Sequence, residues 1–237
     1  MHQAIKKIIP LPIKNLLKSV ISMFVDEFAI KSYSQEGEDM ILNRIFEGKH
    51  QGFYVDVGAH HPRRFSNTYF FYKLGWSGIN VEPNPDVIRI FNMDRSRDVN
   101  LQCGVSECQG TLKYHYFDDP ALNTFDEAVV KSRIETTHYK LVKTEEISLF
   151  RLDSLLKKYL PESKQIDFLS VDVEGFDLFV LKSNDWSLFR PTCVLVEVLN
   201  ATLIEAINGE IAMFMRMQGY TVFARTYNTL IFRESVK

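Results

Sequence analysis

The stretch that decides the fold is GFYVDVGAHHPRRFSNTYFFYKLGWSGINVEPNP, which covers residues 52–85. Residues 53–55 are apolar, aromatic or β-branched and are typical of a buried strand, which ends on Asp56. A second run of this kind, residues 78–81, ends on Glu82, and the segment between the two runs is long enough for a helix. Strand, turn, helix and strand in this order predict a βαβ unit, from which parallel sheets are built.

Small residues and acids at the ends of these two strands indicate a ligand site. Gly58 and Ala59 follow the first strand and would let the backbone approach a ligand closely. Glu82 follows Gly58 at about the 20-residue spacing of a carboxylate that accepts the hydroxyls of an adenosine ribose. The stretch has no GxGxxG motif, and Asp56 would repel a diphosphate but attract a cationic amino-acid group. The pattern favours S-adenosylmethionine as the cofactor, although strand-ending acids and glycine turns also occur in other α/β domains.

Four segments resemble the FkbM-type S-adenosylmethionine-dependent methyltransferases, namely DVGAH at 56–60, RFSNT at 64–68, EPNP at 82–85 and DVEG at 172–175. The resemblance spans most of the chain. It implies a class I methyltransferase fold, in which a seven-stranded sheet has one reversed strand near its end, and methylation of a hydroxyl on a sugar or another natural product. In one departure from the pattern, His61 and Pro62 stand where many members have a glycine, as one subgroup of the family also does.

The composition is that of a globular protein and not of a nucleic-acid-binding or membrane-spanning one. The chain has 237 residues, enough for one domain and a short appendage, and 46% of them are hydrophobic. Its net charge of −2 provides no electrostatic footprint for nucleic acid. No run of about 20 uncharged apolar residues predicts a transmembrane helix. Cys103, Cys108 and Cys193 form no CxxC pair and are expected to be reduced thiols in a cytoplasmic protein.

Residues 1–31 stand apart from the methyltransferase domain that we predict for residues 32–237. Apolar residues recur at helical spacing between Ile13 and Phe28, which predicts an amphipathic N-terminal helical segment. We favour packing of this segment on its own domain or on a partner subunit; peripheral contact with the inner face of a membrane is the alternative. A cleaved signal peptide is not expected, because prolines and lysines interrupt the apolar region. The sequence indicates no oligomeric state.

The next helix is predicted to begin at Ser32. Ser32 and Gln35 have the spacing of a capping box, and Glu36, Glu38 and Asp39 would favour the positive end of the helix dipole. The family resemblance implies that this segment lies near the cofactor, so Gln35 and Asp39 are candidate cofactor-binding residues. Plain helix capping is the alternative for both.

Strands and helices alternate along the rest of the chain, which predicts a doubly wound, Rossmann-like α/β sheet that is mostly parallel. The expected strands are residues 99–102, 111–117, 166–171, 193–196, 220–224 and 229–232, the last two as an antiparallel pair. The expected helices are residues 87–93, 155–160, 175–181 and 207–218.

Residues 118–143 show little periodicity and are predicted to be an insertion or a lid. A solvent-exposed loop is the simplest expectation for its five candidate acceptor contacts, Asn123, Thr124, Phe125, His138 and Tyr139. Cys103 and Gly104 follow the third strand, where the resemblance to class I methyltransferases implies contact with the adenine.

Four carboxylates are expected at the carboxyl ends of strands, where open α/β sheets bind their ligands, namely Asp56, Glu82, Asp172 and Glu197. So many acids at one edge would repel one another unless a cation or hydrogen-bond donors satisfied them. The candidate cofactor-binding residues are Gln35, Asp39, Asp56, Gly58, Ala59, Glu82, Cys103 and Gly104.

Methyl transfer to a hydroxyl needs a group that takes the hydroxyl proton. The candidate catalytic residues are His60, Asp172 and Glu174. His60 has a suitable ordinary pKa, but a loop histidine that only donates a hydrogen bond is an equal alternative, and His61 is expected to be structural. Asp172, Glu174 and Glu197 are conceivable ligands of a divalent metal ion, but their spacing is not a metal signature and no metal is predicted.

The sequence therefore predicts an S-adenosylmethionine-dependent methyltransferase, most simply an O-methyltransferase acting on a small-molecule or glycan hydroxyl. One alternative is an NAD-dependent oxidoreductase or a nucleotide-sugar-modifying enzyme, against which the missing GxGxxG counts. Another is a non-catalytic protein that docks on a membrane or a partner through residues 1–31. The aromatic residues Tyr69, Phe70, Tyr72 and Trp76 are expected to pack in the core and not to stack on a sugar.

Overall fold

The structure is a computed structural model, and it describes residues 29–235. The chain divides between Ser32 and Tyr33 into two units, and every helix and strand below lies in the second unit. Most of the predicted N-terminal helical segment, residues 1–31, lies outside the described residues. No helix within residues 29–235 has the length and hydropathy needed to cross a lipid bilayer.

Helices and strands alternate through the described residues. The α-helices are α1 Glu38–Ile45, α2 Tyr69–Lys73, α3 Pro85–Asp94, α4 Glu127–Thr136, α5 Leu152–Tyr159, α6 Asp177–Lys182, α7 Leu203–Asn208 and α8 Glu210–Met217. The strands are β1 Phe53–Val57, β2 Ser77–Val81, β3 Val99–Leu101, β4 Gly104–Val105, β5 Gly110–Phe117, β6 Leu141–Phe150, β7 Phe168–Val171, β8 Cys193–Glu197, β9 Tyr220–Arg225 and β10 Thr229–Glu234.

A seven-stranded sheet forms the centre of the domain, in the order β3-β2-β1-β7-β8-β10-β9. Neighbouring strands from β3 to β8 pair in parallel, whereas β10 runs antiparallel to both β8 and β9. This arrangement confirms the predicted Rossmann-like class I methyltransferase sheet with one reversed strand. The crossover from β2 and β3 back to β7 makes β1 and β7 direct neighbours, so the ends of these two strands meet at the middle of the sheet.

Burial on both faces explains the long apolar runs of the central strands. Every residue of β1 and β7 is buried. Successive side chains of a strand point to opposite faces, so Val55 joins one core cluster while Tyr54 joins the other. Trp76 also belongs to the second cluster, with Phe70 and Tyr72 packed against it, which confirms core packing for these aromatics.

A second, three-stranded sheet in the order β4-β6-β5 was not predicted. Residues 118–143 connect β5 to the start of β6, and the expectation of solvent exposure was wrong for Asn123, Thr124 and Phe125, which are buried, whereas His138 is exposed and Tyr139 is partly exposed. A 3-10 turn at Pro120–Leu122 leads into α4, and β6 begins at Leu141 and pairs antiparallel with β5. The sequence signal is weak because Val130 is the buried residue of α4, so the helix shows almost no apolar periodicity.

Two helix boundaries also differ from the prediction. The helix expected from Ser32 begins at Glu38, because the Asp39 carboxylate accepts hydrogen bonds from the Tyr33 N–H (2.7 Å) and the Ser34 hydroxyl (2.8 Å) and holds this segment in a turn. The single helix expected over residues 207–218 is two helices, α7 and α8, which are separated at Gly209.

Candidate functional site

The carboxyl ends of the parallel strands border a cavity of about 350 Å³. Its lining includes the residues that directly follow β1, β2 and β7, namely Gly58, Glu82 and Asp172, and the last residue of β8, Glu197. Asp56, one position before the end of β1, lines it as well. All four carboxylates that the sequence placed at strand ends are thus brought together in one cavity, at the edge where open α/β sheets bind ligands.

Gly58 directly follows β1 and lies against Asp172, the residue that directly follows β7. Its φ is +82°, and a β-carbon added to it would lie 1.7 Å from the carbonyl oxygen of Asp172. The Gly58 N–H donates to the Val81 carbonyl over 3.0 Å, which ties the same turn to β2. No side chain fits at this position, so the close approach of the three strand ends depends on glycine.

Glu82 is held rigidly at the end of β2. One carboxylate oxygen accepts the backbone N–H of His60 (3.0 Å) and the other accepts that of Asn84 (2.9 Å). Burial raises the pKa of Glu82 to about 7, and the two N–H donors oppose that shift. Each oxygen keeps acceptor capacity beyond these contacts, which suits a pair of ligand hydroxyls.

Asp56 shares the cavity with Glu82 but is bound differently. Its carboxylate accepts the hydroxyl of Thr68 over 3.0 Å, and burial raises its pKa to about 6. Nearby, the Asn67 side-chain amide donates to the Ser170 hydroxyl over 3.1 Å. Asn67 and Ser170 line the cavity too, so this part of the wall is polar but mostly neutral.

Three acids form a cluster on the other side of the cavity. Carboxylate oxygens of Asp172, Glu174 and Glu197 lie within 4.8 Å of one another. Asp172 is accessible through the cavity, yet the walls surround its carboxyl group closely enough to raise its pKa well above the usual range, and the charges of Glu197 and Glu174 add to the shift. Burial raises the pKa of Glu197 to about 8, and the charges of Glu174 and Asp177 add to this shift.

Glu174 differs from the other two acids because it has a cationic partner. It forms a salt bridge with Arg133 of α4, whose charge opposes the rise in pKa that burial causes. Asp172 and Glu197 are therefore the members whose charge is poorly compensated, and two such groups in contact share a proton near neutral pH. The three side chains offer hard oxygen ligands of the kind that Mg²⁺ and Ca²⁺ use, but an acidic cluster is not by itself a metal site.

His60 lies in the loop after Gly58 with φ +51°. Its ring stacks on Phe65 with centroids 6.2 Å apart, and burial, followed by the charge of Arg64, lowers its pKa to about 4. A neutral imidazole with so low a pKa is a weak base at neutral pH. The neighbouring His61 accepts the backbone N–H groups of Arg63 and Arg64 at Nδ1, in a turn-forming geometry.

The remaining predicted cofactor residues do not all reach the cavity. Gln35 and Ala59 line it. Asp39 is outside the lining because its carboxylate holds the turn before α1. Cys103 packs in the main core, and Gly104 lies in β4 against Leu149 and Phe125. These last three remain predictions without support from their positions.

The cavity lining also includes Tyr114, Arg133 and Asn228, which the sequence assigned to no site. It includes Asn123 and Phe125 as well, which were candidate acceptor contacts in a segment expected to be an exposed loop. Backbone hydrogen bonds between His115 and Thr124 pin the segment to β5, and the Thr124 hydroxyl donates to the Glu174 carbonyl over 2.9 Å. A useful sequence signal was Asp126 before a run of good helix formers, since Asp126 caps α4.

Comparison with known proteins identifies the family to which this chain is similar. The profile of the methyltransferase FkbM domain matches residues 56–222. Methyltransferase sdnD of Sordaria araneosa is 38% identical over an alignment covering 40% of this chain and 44% of that protein. The chain thus spans less than half the length of this relative.

Solved structures are similar at a greater distance. A methyltransferase from Geobacter sulfurreducens has a TM-score of 0.42 at 12% identity, covering 99% of this chain and 95% of that one. An O-methyltransferase from Bacillus cereus in complex with SAH has a TM-score of 0.38 at 10% identity, covering 96% and 92%. These similarities are too distant to bear on the chemistry of the site.

Proposed function

The chain belongs to the FkbM methyltransferase domain family, and from this premise we propose that it transfers a methyl group from S-adenosylmethionine to a hydroxyl of a sugar or another natural-product acceptor. The observation that carries the proposal is the pair formed by Asp172 and Glu197, an acidic pair that faces the same cavity as Asp56 and Glu82. One side of the cavity has the groups that suit the cofactor, and the other has a group that can take a proton.

The side with Asp56 and Glu82 fits S-adenosylmethionine in size and chemistry. A cavity of about 350 Å³ lies within the range of small-molecule sites. Two carboxylates suit one ammonium and two ribose hydroxyls, whereas nothing here resembles a phosphate-binding loop. Tyr114 and Phe125 supply aromatic surface on the wall near Glu82, which would pack against an adenine. S-adenosylmethionine supplies a methyl group on a positively charged sulfur.

The side with Asp172 and Glu197 fits the proton transfer that a hydroxyl acceptor requires. An unperturbed carboxylate is a weak base for an alcohol, but burial and repulsion raise the basicity of this pair. Asp172 is the more accessible of the two and takes the hydroxyl proton. The charge of Glu197 raises the proton affinity of the Asp172 carboxylate. Asn67, Asn123, Arg133 and Asn228 line the rest of the cavity and would orient a polyhydroxylated acceptor through hydrogen bonds.

Glu82→Gln is expected to weaken the binding of S-adenosylhomocysteine, the demethylated cofactor, by about tenfold to a hundredfold. A hydrogen bond to a charged group contributes about 1.5–3 kcal/mol, and the glutamine amide nitrogen would also face one of the two backbone N–H groups that the Glu82 carboxylate now accepts. Isothermal titration calorimetry measures the affinity, with NAD as the comparison ligand. The matched control is Glu162→Gln, at an exposed residue outside the cavity; equal affinities for both variants would remove the assignment of Glu82 to the ribose.

Asp172→Asn is expected to lower the methyl-transfer rate by about a hundredfold to ten-thousandfold with little change in S-adenosylhomocysteine affinity. Because the base must be unprotonated, the wild-type rate should rise as the pH increases through the raised pKa of the pair. Glu197→Gln removes one negative charge and lowers the pKa of Asp172, so this rise should move to lower pH. Rate profiles against pH with a hydroxylated acceptor measure both effects, and an unchanged profile in Glu197→Gln contradicts the paired base.

The acceptor class is tested with the purified chain, S-adenosylmethionine and a panel of sugars, hydroxylated natural products and amines. Mass spectrometry of the products detects the added methyl group and its position. Methylated alcohols support the proposal, whereas methylation of amines alone would replace O-methylation with N-methylation.

A further inference from the structure

A buried hydroxyl joins Asp56 to a buried arginine. Thr68, which follows the loop after β1, is fully inaccessible to solvent. Its hydroxyl donates to the Asp56 carboxylate over 3.0 Å, and Nη2 of Arg95 donates to the same hydroxyl over 2.9 Å. Thr68 lies outside the cavity lining, so its contact with the site passes through Asp56.

The direction of the Thr68 hydroxyl proton follows from its other partners. Arg95 has donors only, so the hydroxyl oxygen must accept from it. Ser66 Oγ lies 3.2 Å from the same oxygen and already accepts the Tyr69 N–H over 3.1 Å. With Ser66 donating as well, the Thr68 oxygen has both acceptor positions filled, and its one proton points to Asp56.

Arg95 holds the loop as well as the hydroxyl. Its Nη1 donates to the Pro62 carbonyl over 2.9 Å, its Nη2 also donates to the Tyr54 hydroxyl over 2.9 Å, and its Nε pairs with Asp98 over 3.0 Å. The guanidinium has no solvent exposure, and its centre lies 4.6 Å from the centroid of the Tyr72 ring. One rigid, fully charged group therefore fixes the cavity loop at Pro62 and Asp56 at the same time.

We propose that Thr68 and Arg95 are positioning residues for the cofactor, which orient the Asp56 carboxylate and preserve its negative charge so that it binds the ammonium group of S-adenosylmethionine. The inference rests on the proposed function only in the identity of that ligand. It explains why the segment at residues 64–68 accompanies the strand-end acids although its threonine does not reach the cavity. Neither side chain contacts the cofactor itself.

The charges around Asp56 make this support necessary. Burial is the largest influence and raises its pKa to about 6, while the Thr68 hydroxyl, the Arg95 charge and the Ser170 hydroxyl oppose the rise. Asp98, beyond Arg95, raises it further, and Glu82 is the acidic neighbour on the same side of the cavity, where the Asp56 charge raises the Glu82 pKa. The carboxylate is thus ionised at neutral pH by a narrow margin. Loss of a hydrogen bond to the charged form moves the titration to higher pH.

The test compares Thr68→Val, which has the same shape without the hydroxyl, with Thr68→Ser, which retains it. The full chain is labelled with carbon-13 at the aspartate carboxyls, and the Asp56 resonance is assigned with Asp56→Asn. NMR then follows the titration of this carboxyl in the ligand-free protein. We expect the midpoint to rise by about one pH unit in Thr68→Val and to stay at the wild-type value in Thr68→Ser. Thr68→Ala serves as the variant without a hydroxyl if the valine protein does not fold.

Calorimetric titrations with S-adenosylhomocysteine at several pH values then test whether the charge of Asp56 affects ligand binding. The ratio of the variant to the wild-type dissociation constant should be about threefold larger near pH 6.5 than near pH 8 for Thr68→Val, and it should be constant for Thr68→Ser. An unchanged Asp56 midpoint in Thr68→Val, or an equal shift in Thr68→Ser, overturns the inference. If the Asp56 midpoint shifts in Thr68→Val but the wild-type protein binds no S-adenosylhomocysteine, the proposed cofactor is overturned. The link from Thr68 to Asp56 then still stands.

Discussion

Gly58→Ala is expected to abolish S-adenosylhomocysteine binding and to lower the free energy of unfolding by more than about 4 kcal/mol. The new methyl group would lie 1.7 Å from the Asp172 carbonyl oxygen, which belongs to the backbone and cannot rotate away. Either β7 or the loop after β1 must move, and both carry cavity residues. Urea denaturation measures the stability, and calorimetry measures the binding of those molecules that remain folded.

The matched control is Gly48→Ala. Gly48 also has a positive φ, +81°, but a β-carbon added there meets nothing within 4 Å. It should cost only the backbone strain of about 1–2 kcal/mol and leave ligand affinity unchanged. The difference between the two variants isolates the steric contact with Asp172. Similar losses in both would show that backbone conformation alone accounts for the requirement for glycine, and that the strand ends do not need this close approach.

Asp98→Ala is expected to lower the free energy of unfolding by about 3–5 kcal/mol, because it leaves a buried arginine without its counter-ion. The Asp98 and Arg95 side chains have no solvent exposure. Asp98 also accepts the Tyr54 hydroxyl (2.7 Å), the Gly78 N–H (2.9 Å) and the Asn80 amide (3.0 Å), so four donors lose their acceptor together. The midpoint of thermal or urea unfolding reports the loss.

An exposed ion pair provides the comparison for Asp98. Arg190 and Glu234 lie 2.7 Å apart, and their side chains are 34% and 41% exposed. Glu234→Ala should therefore change stability by less than about 1 kcal/mol. If Asp98→Ala proved equally mild, water or a rearranged side chain would have to compensate Arg95, and the loop at Pro62 would then be held less rigidly than its contacts indicate.

The central sheet could be predicted from the sequence because each strand carries its own signal. Residues 53–57 and 168–171 are mostly apolar because both faces of the sheet are covered. Asp56, Glu82 and Asp172 lie at or directly after the ends of the first, second and seventh strands. The edge of the sheet at which they meet then follows from the parallel topology alone. This is why the strand-end acids were identified as neighbours although they are far apart in the chain.

The outer wall of the cavity could not be predicted in the same way. Tyr114 occupies one position in the alternating pattern of β5. The sequence does not show that its side chain lies near Glu82, because this depends on how the β5–β6 pair packs against the large sheet. Arg133 lies on a helix with one buried side chain, so no periodicity revealed it. Asp39 shows a related difficulty: its carboxylate accepts the backbone N–H of Tyr33 and lies outside the cavity lining, and the sequence spacing does not show this contact.

The relative basicity of the candidate catalytic side chains could not be predicted from the sequence either. His60 has an ordinary pKa suited to proton transfer, but burial and the charge of Arg64 lower that pKa to about 4, whereas burial and the charges of neighbouring acids raise the pKa values of Asp172 and Glu197. The environment thus reverses the order that residue type suggests, and only the folded arrangement shows which side chain is the better base.

If the chain has the proposed function, the three-stranded sheet has a consequence for how its choice of acceptor can change. Residues 110–150, one contiguous segment, supply the cavity wall formed by Tyr114, Asn123, Phe125 and Arg133, whereas the large sheet supplies Asp56, Gly58 and Glu82. Residues 110–150 lie outside β1 and β2, so the side chains that this segment contributes to the cavity can change while the pairing register of β1 and β2 stays the same. Under the proposed function, grafting residues 110–150 between relatives would replace Asn123 and Arg133 on the acceptor side and also Tyr114 and Phe125 near Glu82, so we expect acceptor choice and cofactor affinity to change together.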